Sequence, residues 1–198
     1  MLKIVSLATA VAGCASLCSA QDFSLTLVPT GDVDCGSSGL IEVTVYGDAS
    51  IGSHLLGGAF GLEVARGAEF VTDITWTNNA WSAFNTDGGY DGNGTYNQVI
   101  FGQLVIPGIF PPAPGSELGS AIGFFEVEVD FQGGGILELE LVQGTPFTLE
   151  TVDSVSGQTY RDDGSNISLG STSIWFCPSP GTSLAFGFFG LAASCRRR

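Results

Sequence analysis

Residues 125–131 read Phe125-Glu126-Val127-Glu128-Val129-Asp130-Phe131, four apolar positions and three acids in strict alternation. A period of two places all four apolar side chains on one face of an extended chain, where a helix would scatter them around its axis. The stretch predicts a half-buried strand with an acidic outer face. After Gln132-Gly133-Gly134-Gly135 the alternation resumes in Leu137, Leu139 and Leu141, with Glu138 and Glu140 between them. Read as a hairpin, the two stretches set Asp130 against Glu138 and Glu128 against Glu140, and a shift of two residues still sets acid against acid. Like charges directly opposite cost stability. Such a ladder is expected on a fully solvated face, or else bridged by cations. A pair of carboxylates that hydrolyses glycosides needs instead a cleft to separate its two pKa values.

Outward from this stretch the same period recurs. Phe23, Leu25 and Leu27 alternate with polar neighbours, as do Ile41, Val43 and Val45. Ala59 to Val64 carries Phe60, Leu62 and Val64 on one face. Phe70, Thr72, Ile74 and Trp76 mark a further strand, Gln98 to Ile106 another, and Phe147 with Leu149 and then Ile167 to Phe176 complete the set. About nine short strands divided by Gly, Pro, Asp and Asn turns, with no helical period of any length, predict an all-β fold. A single antiparallel β-sandwich or jelly roll is the expected architecture. Pro107 to Pro114 reads as a surface loop, because strands of the same kind continue beyond it.

Composition sets limits on function. The chain has 198 residues, 44% of them hydrophobic and 13% charged, so a sizeable core is available and disorder through low hydrophobicity is excluded. Between residues 21 and 180 the only cations are Arg66 and Arg161, while all 20 acids lie there, a formal charge of 2 minus 20, or −18. Nucleic acid is excluded as a partner, since neutralising phosphates needs clustered Lys and Arg. An acidic surface of this kind suits high ionic strength or divalent cations.

The two ends read as addresses, which leaves 21–177 as the expected domain. Residues 1–20 place Lys3 before an apolar run from Ile4 to Leu17 and small residues at Ser19-Ala20, the order of a cleavable secretory signal. Val11-Ala12-Gly13-Cys14 resembles a bacterial lipoprotein box, a competing cut that would make Cys14 a lipidated first residue. The far end, 178–198, reads Pro178-Ser179-Pro180, then Thr182 to Cys195 without charge, then Arg196, Arg197 and Arg198. Its order of a Pro-flanked motif, a short hydrophobic segment and terminal arginines resembles the PEP-CTERM family of bacterial sorting tails, with Ser179 where that family has glutamate. The resemblance implies an exosortase-type membrane enzyme as partner, transient membrane contact through the tail, and delivery to the cell envelope or an extracellular matrix. The middle of the chain loosely resembles cohesin-like and carbohydrate-binding β-sandwich modules of bacterial surfaces.

Candidate sites are few. His54 is the single histidine and no Gly-x-Ser-x-Gly motif accompanies it, so it reads as a loop or partly buried structural residue rather than a catalytic base or a zinc ligand. Cys35 and Cys177 flank the predicted sandwich; as a disulfide they would close a loop of about 142 residues and contribute roughly 5 kcal/mol in the chain-entropy account. Thr86 to Thr95 alternates Asp87, Asp91 and Asn93 with glycines. That pattern can wrap Ca²⁺ but departs from EF-hand spacing, and it also suits a plain cluster of turns. Trp81, Phe84, Tyr90 and Tyr96 are the candidate exposed rings of a sugar-stacking platform. Three classes of function follow: a non-catalytic structural or adhesive envelope protein, a carbohydrate-binding module for matrix polysaccharide and, more distantly, a secreted glycoside hydrolase.

Overall fold

The computed structural model describes residues 21–30, 39–130 and 134–176. Cys35, Cys177, the 1–20 segment and the 178–198 tail, with Pro178, Ser179, Pro180 and Arg196 to Arg198, lie outside the described residues. The described chain is nearly all β. Its strands are β1 (Phe23–Thr30), β2 (Gly39–Ala49), β3 (His54–Arg66), β4 (Val71–Asn78), β5 (Thr86–Asp87) and β6 (Thr95–Gly102). They continue with β7 (Ala121–Val129), β8 (Gly135–Gln143), β9 (Glu150–Val152), β10 (Thr159–Arg161), β11 (Ile167–Leu169) and β12 (Ser171–Phe176). A single 3-10 turn, Ala68–Phe70, precedes β4.

Two sheets form a β-sandwich. The five-stranded sheet runs β11-β1-β2-β7-β4, antiparallel except where β11 lies parallel to β1. The seven-stranded sheet runs β10-β9-β3-β6-β5, with β8 also on β3 and β12 on β8. The 13-residue β3 is long enough to hold β9 along His54–Gly57 and β8 along Phe60–Arg66. Alternation sorts the side chains: Phe23, Leu25, Ile41, Val43, Phe125 and Val127 from one sheet meet Phe60, Leu62, Val99, Leu137 and Leu139 from the other in one core.

At the centre Phe60 meets Trp76 edge-on with centroids 5.4 Å apart, and Phe125 meets Tyr96 in the same manner at 5.1 Å. Each such pair contributes about 0.5–1.5 kcal/mol beyond its buried area. Trp76 also dictates a glycine beside it, because a Cβ on Gly123 would lie 2.5 Å from the indole and 2.3 Å from the Thr77 carbonyl oxygen.

The structure corrects the expected acidic hairpin. β7 pairs with β2 and β4, whereas β8 pairs with β3 and β12 in the opposite sheet. Glu126, Glu128 and Asp130 therefore never face Glu138 and Glu140. Acid still opposes acid, with other partners: Glu126 stands across from Glu42, Glu128 from Asp73 and Glu140 from Glu63. Hydroxyls soften the first contact, as Thr30 donates to the Glu42 carboxylate at 2.8 Å and Thr75 to that of Glu126 at 3.4 Å. Glu138 is opposite Arg66, with N and O atoms 3.8 Å apart on an exposed surface where such a pair is worth little. Two predicted strand limits also move. Gln103 to Ile106 leave the sheet after β6, and Phe147 lies in a loop ahead of β9, half exposed, while Leu149 is buried.

Candidate functional site

On the outer face of the seven-stranded sheet, side chains must point away from the core, yet the sequence supplies almost none where β3 meets β6. Gly57 stands directly opposite Gly102. A Cβ on Gly57 would lie 2.8 Å from the Phe101 carbonyl oxygen, which leaves no room for a side chain there, and one on Gly102 would lie 3.3 Å from the Leu56 oxygen, a tight fit. Gly57 and Gly58 form the bare floor of a groove of about 460 Å³. Phe84, Ile100, Leu104 and Val105 form one wall; Phe147, Thr148, Glu150 and Arg161 form the other.

Each wall is held by polar atoms that are themselves spent. Asp162, 2% exposed, accepts the Leu149 amide on one carboxylate oxygen and the Gly164 amide on the other, both at 2.6 Å. It thereby fixes the end of the loop that carries Phe147. Arg161 and Glu150 pair at 2.6 Å. On the other side the Gln103 amide donates to the Leu55 oxygen at 2.6 Å and accepts the Ala113 amide at 2.7 Å, which ties the 104–116 loop to β3. The amides of Ala83 and Phe84 both donate to the Gly102 oxygen at 2.9 Å, placing the Phe84 ring over the floor.

The groove opens onto an apolar loop. Ile106 and Phe110 exchange backbone hydrogen bonds across Pro107-Gly108, with Gly108 at φ 76°, a tight turn that lifts Ile109 to 68% exposure. Pro107 lies against Gly157 so closely that a Cβ there would sit 2.1 Å from its ring, which brings alongside the turn bearing the 90%-exposed Val155. Phe84, Leu104, Ile106, Ile109, Phe110, Phe147 and Val155 thus gather at one end of one sheet. They are seven of the ten large hydrophobic side chains exposed among the described residues. From Phe101 to Ser116, and again from Leu141 to Leu149, no residue is charged.

Of the predicted rings, Phe84 alone joins this groove. Trp81 is buried, its indole N–H donating to the Ala121 oxygen at 2.9 Å and its ring edge-on to Phe101, so it presents no face to a sugar. Tyr96 is buried as well: its hydroxyl donates to Asp87 at 2.5 Å, and burial first, then that carboxylate, raise the phenol well above its usual pKa of 10. Tyr90 is half-buried; its oxygen accepts the Gly94 amide at 3.1 Å, and desolvation raises its pKa. Phe147, Leu104 and Arg161 were not singled out. The signal for Phe147 was its place after Thr145-Pro146, where proline opposes a central strand.

In the Asp-Gly-Asn stretch one oxygen of each carboxylate, Oδ1, is engaged locally. Asp87 accepts the Gly89 amide at 2.9 Å beside the Tyr96 hydroxyl, and Asp91 accepts the amides of Asn93 and Thr95 at 2.7 and 3.0 Å. No group of three His, Cys, Asp or Glu side chains placed to hold a metal occurs among the described residues. His54 touches the Ser53 hydroxyl at 2.9 Å, but that hydroxyl donates to the Val152 oxygen and accepts the Ser154 amide, the bonding of a loop pin.

No family model matches the chain, and no curated protein matches it. Among solved structures it is similar to the cohesin module of a family 33 glycoside hydrolase from Clostridium perfringens, at 14% identity over 79% of this chain and 98% of that one, with a TM-score of 0.46. It is similar also to the cohesin of a type I cohesin–dockerin complex from Clostridium thermocellum, at 13% identity over 75% of this chain and 96% of that one, with a TM-score of 0.44. Likeness of this degree lies in the course of the strands, and no residue role is carried across from it.

Proposed function

We propose that the chain is a non-catalytic module exported to the envelope or extracellular matrix of a bacterium, where it has a structural or adhesive role and engages its partner through the groove and the adjoining apolar loop. Clustering of exposed apolar side chains carries this reading. Single exposed hydrophobes are ordinary, but a contiguous patch on a soluble domain marks an interaction surface. Export is supported by the signal-like residues 1–20 and the sorting-like tail 178–198. A non-catalytic role is consistent with a groove whose ionisable lining is one arginine neutralised by one glutamate.

A polysaccharide ligand would use the same two rings, Phe84 and Phe147. A sugar also needs several hydroxyl partners; the Gln103 amide is already bonded at both ends and Glu150 is paired with Arg161, which leaves the unpaired Thr148 hydroxyl. An apolar polypeptide segment suits the lining better. Selection of displayed peptides on the purified chain, run beside a glycan array, separates the two. Apolar peptides whose binding is lost in Phe84→Ser/Phe147→Ser are expected. Glycan binding lost in the same variant would install the carbohydrate-binding reading, and no binding in either assay would remove the groove as a site.

A further inference from the structure

The groove and loop are uncharged, but their surroundings are not. Glu117 closes the apolar loop where its residue bridges His54 at the start of β3. Asp153 closes the turn that carries Val155, accepting the Val155 and Ser156 amides at 3.0 and 2.7 Å. Asp87 stands apart from these, because it lies across from the buried Val99 and accepts the Tyr96 hydroxyl, on the face opposite the groove that Ile100 lines. Glu150 completes the set and is matched by Arg161. Two unmatched acids, Glu117 and Asp153, therefore stand at the His54 end of the groove, within a stretch from 21 to 180 that holds only two cations.

Resting on the groove reading above, we infer that the occupant is a polypeptide segment with an apolar centre and basic residues at the end that meets the start of β3. The division of labour follows from the physics of interfaces. Apolar side chains seated against Phe84 and Phe147 supply the binding energy by leaving water for a largely apolar lining, while the buried, unpaired Thr148 hydroxyl is open to a backbone group of the segment. Lysine or arginine at that end meets Glu117 and Asp153, where opposite charge speeds encounter and selects among partners more than it tightens the seated complex. A second copy of this chain is disfavoured by the same reasoning, since it would bring like charge to the rim. An anionic membrane surface would too.

Three synthetic peptides with one shared apolar core, flanked by lysine, by serine or by glutamate, test this against the full chain. At low salt, about 20 mM, the lysine-flanked peptide is expected to bind about tenfold tighter than the serine-flanked one, through faster association. That advantage should shrink to about twofold or less near 500 mM. Glu117→Gln with Asp153→Asn should remove most of the advantage and leave the serine-flanked affinity unchanged; asparagine retains an acceptor oxygen for the 153–158 turn. Phe84→Ser/Phe147→Ser should abolish binding of all three. Equal affinity for the lysine and serine peptides at low salt would overturn the inference and leave the groove reading standing. No binding by any peptide would overturn both.

Discussion

Two loop regions beside the seven-stranded sheet use their sequences in opposite ways. The 86–95 stretch is rich in Asp, Asn and Gly, and one oxygen of each carboxylate accepts two nearby donors: Asp87 from Gly89 and Tyr96, Asp91 from Asn93 and Thr95. The 101–116 stretch is uncharged and rich in proline, and its backbone is satisfied by Ile106–Phe110 pairing and by Gln103. Its side chains are what remain free. Polar residues in a tight loop serve first as the loop's own scaffolding, while an apolar loop anchored elsewhere has its surface left over for a partner.

The largest expected effect tests whether the apolar region is really held by a buried polar anchor. Asp162→Ala strands the amides of Leu149 and Gly164, each an unsatisfied donor costing roughly 1–3 kcal/mol. A loss of about 3 kcal/mol in urea unfolding is expected, together with faster hydrogen exchange at Leu149. Asp162→Asn keeps one acceptor oxygen and should lose about half as much. A loss below about 0.5 kcal/mol in the alanine variant would show that the Phe147 wall stands without its anchor.

Next comes Tyr96, which ties the polar loop to the core. Tyr96→Phe removes a hydrogen bond to a carboxylate on the exposed Asp87, for an expected loss of about 1.5 kcal/mol. The pH dependence has a definite sign. The folded state raises the phenol's pKa above the unfolded 10, so the native state holds its proton more tightly, and this stabilisation is present below pH 10 and disappears as pH rises beyond it. Alkaline unfolding should therefore be steeper in the parent than in Tyr96→Phe. Parallel curves would assign the alkaline loss to other groups.

A smaller effect belongs to the acid side. Asp153 is held below its ordinary 3.8 chiefly by the Ser156 amide and then by its hydroxyl, and Asp163 chiefly by the Ser165 hydroxyl and then by its amide. Depressed carboxyls stabilise above the unfolded pKa, and their contribution is lost as pH falls below 3.8. Amide exchange at Ser156 and Ser165 should accelerate in that window before the core amides of β7 do. Simultaneous acceleration would mean that these turns report only global unfolding.

How much of this was legible in the sequence divides along the same line. Alternation placed Phe125, Val127, Leu137 and Leu139 inward, because side-chain period is a local property of extended chain. It could not say which strand β7 would lie beside: period fixes the face of a strand, not its neighbour, and Glu138 met Arg66 rather than Asp130. The site was half legible. Phe84 was read as exposed and is, but Trp81 and Tyr96 in the same neighbourhood are buried, since each has a polar tip that finds a partner indoors, Ala121 for one and Asp87 for the other. The groove could not be read at all, because its Gly57-Gly58 floor and its Ile100 wall are far apart in the chain and meet only when β3 and β6 pair.

The smallest expected effect concerns calcium, and it bears on the comparison most directly. For Ca²⁺ to sit among Asp87, Asp91 and Asn93, it would have to share carboxylates whose Oδ1 atoms already accept the Tyr96 hydroxyl and the Gly89 amide at Asp87 and the Asn93 and Thr95 amides at Asp91. Six to eight oxygens would then have to converge from a loop whose carboxylates already face inward donors. Calcium and sodium at matched ionic strength should therefore raise the melting temperature equally, through screening of the −18 charge between residues 21 and 180. Binding to the native state alone would add a calcium-only increment by mass action. An increment of that kind, abolished by Asp87→Asn with Asp91→Asn, would show that the polar loop gives up its internal bonds for an ion, and the contrast between a self-satisfied loop and an available one would fail at that point.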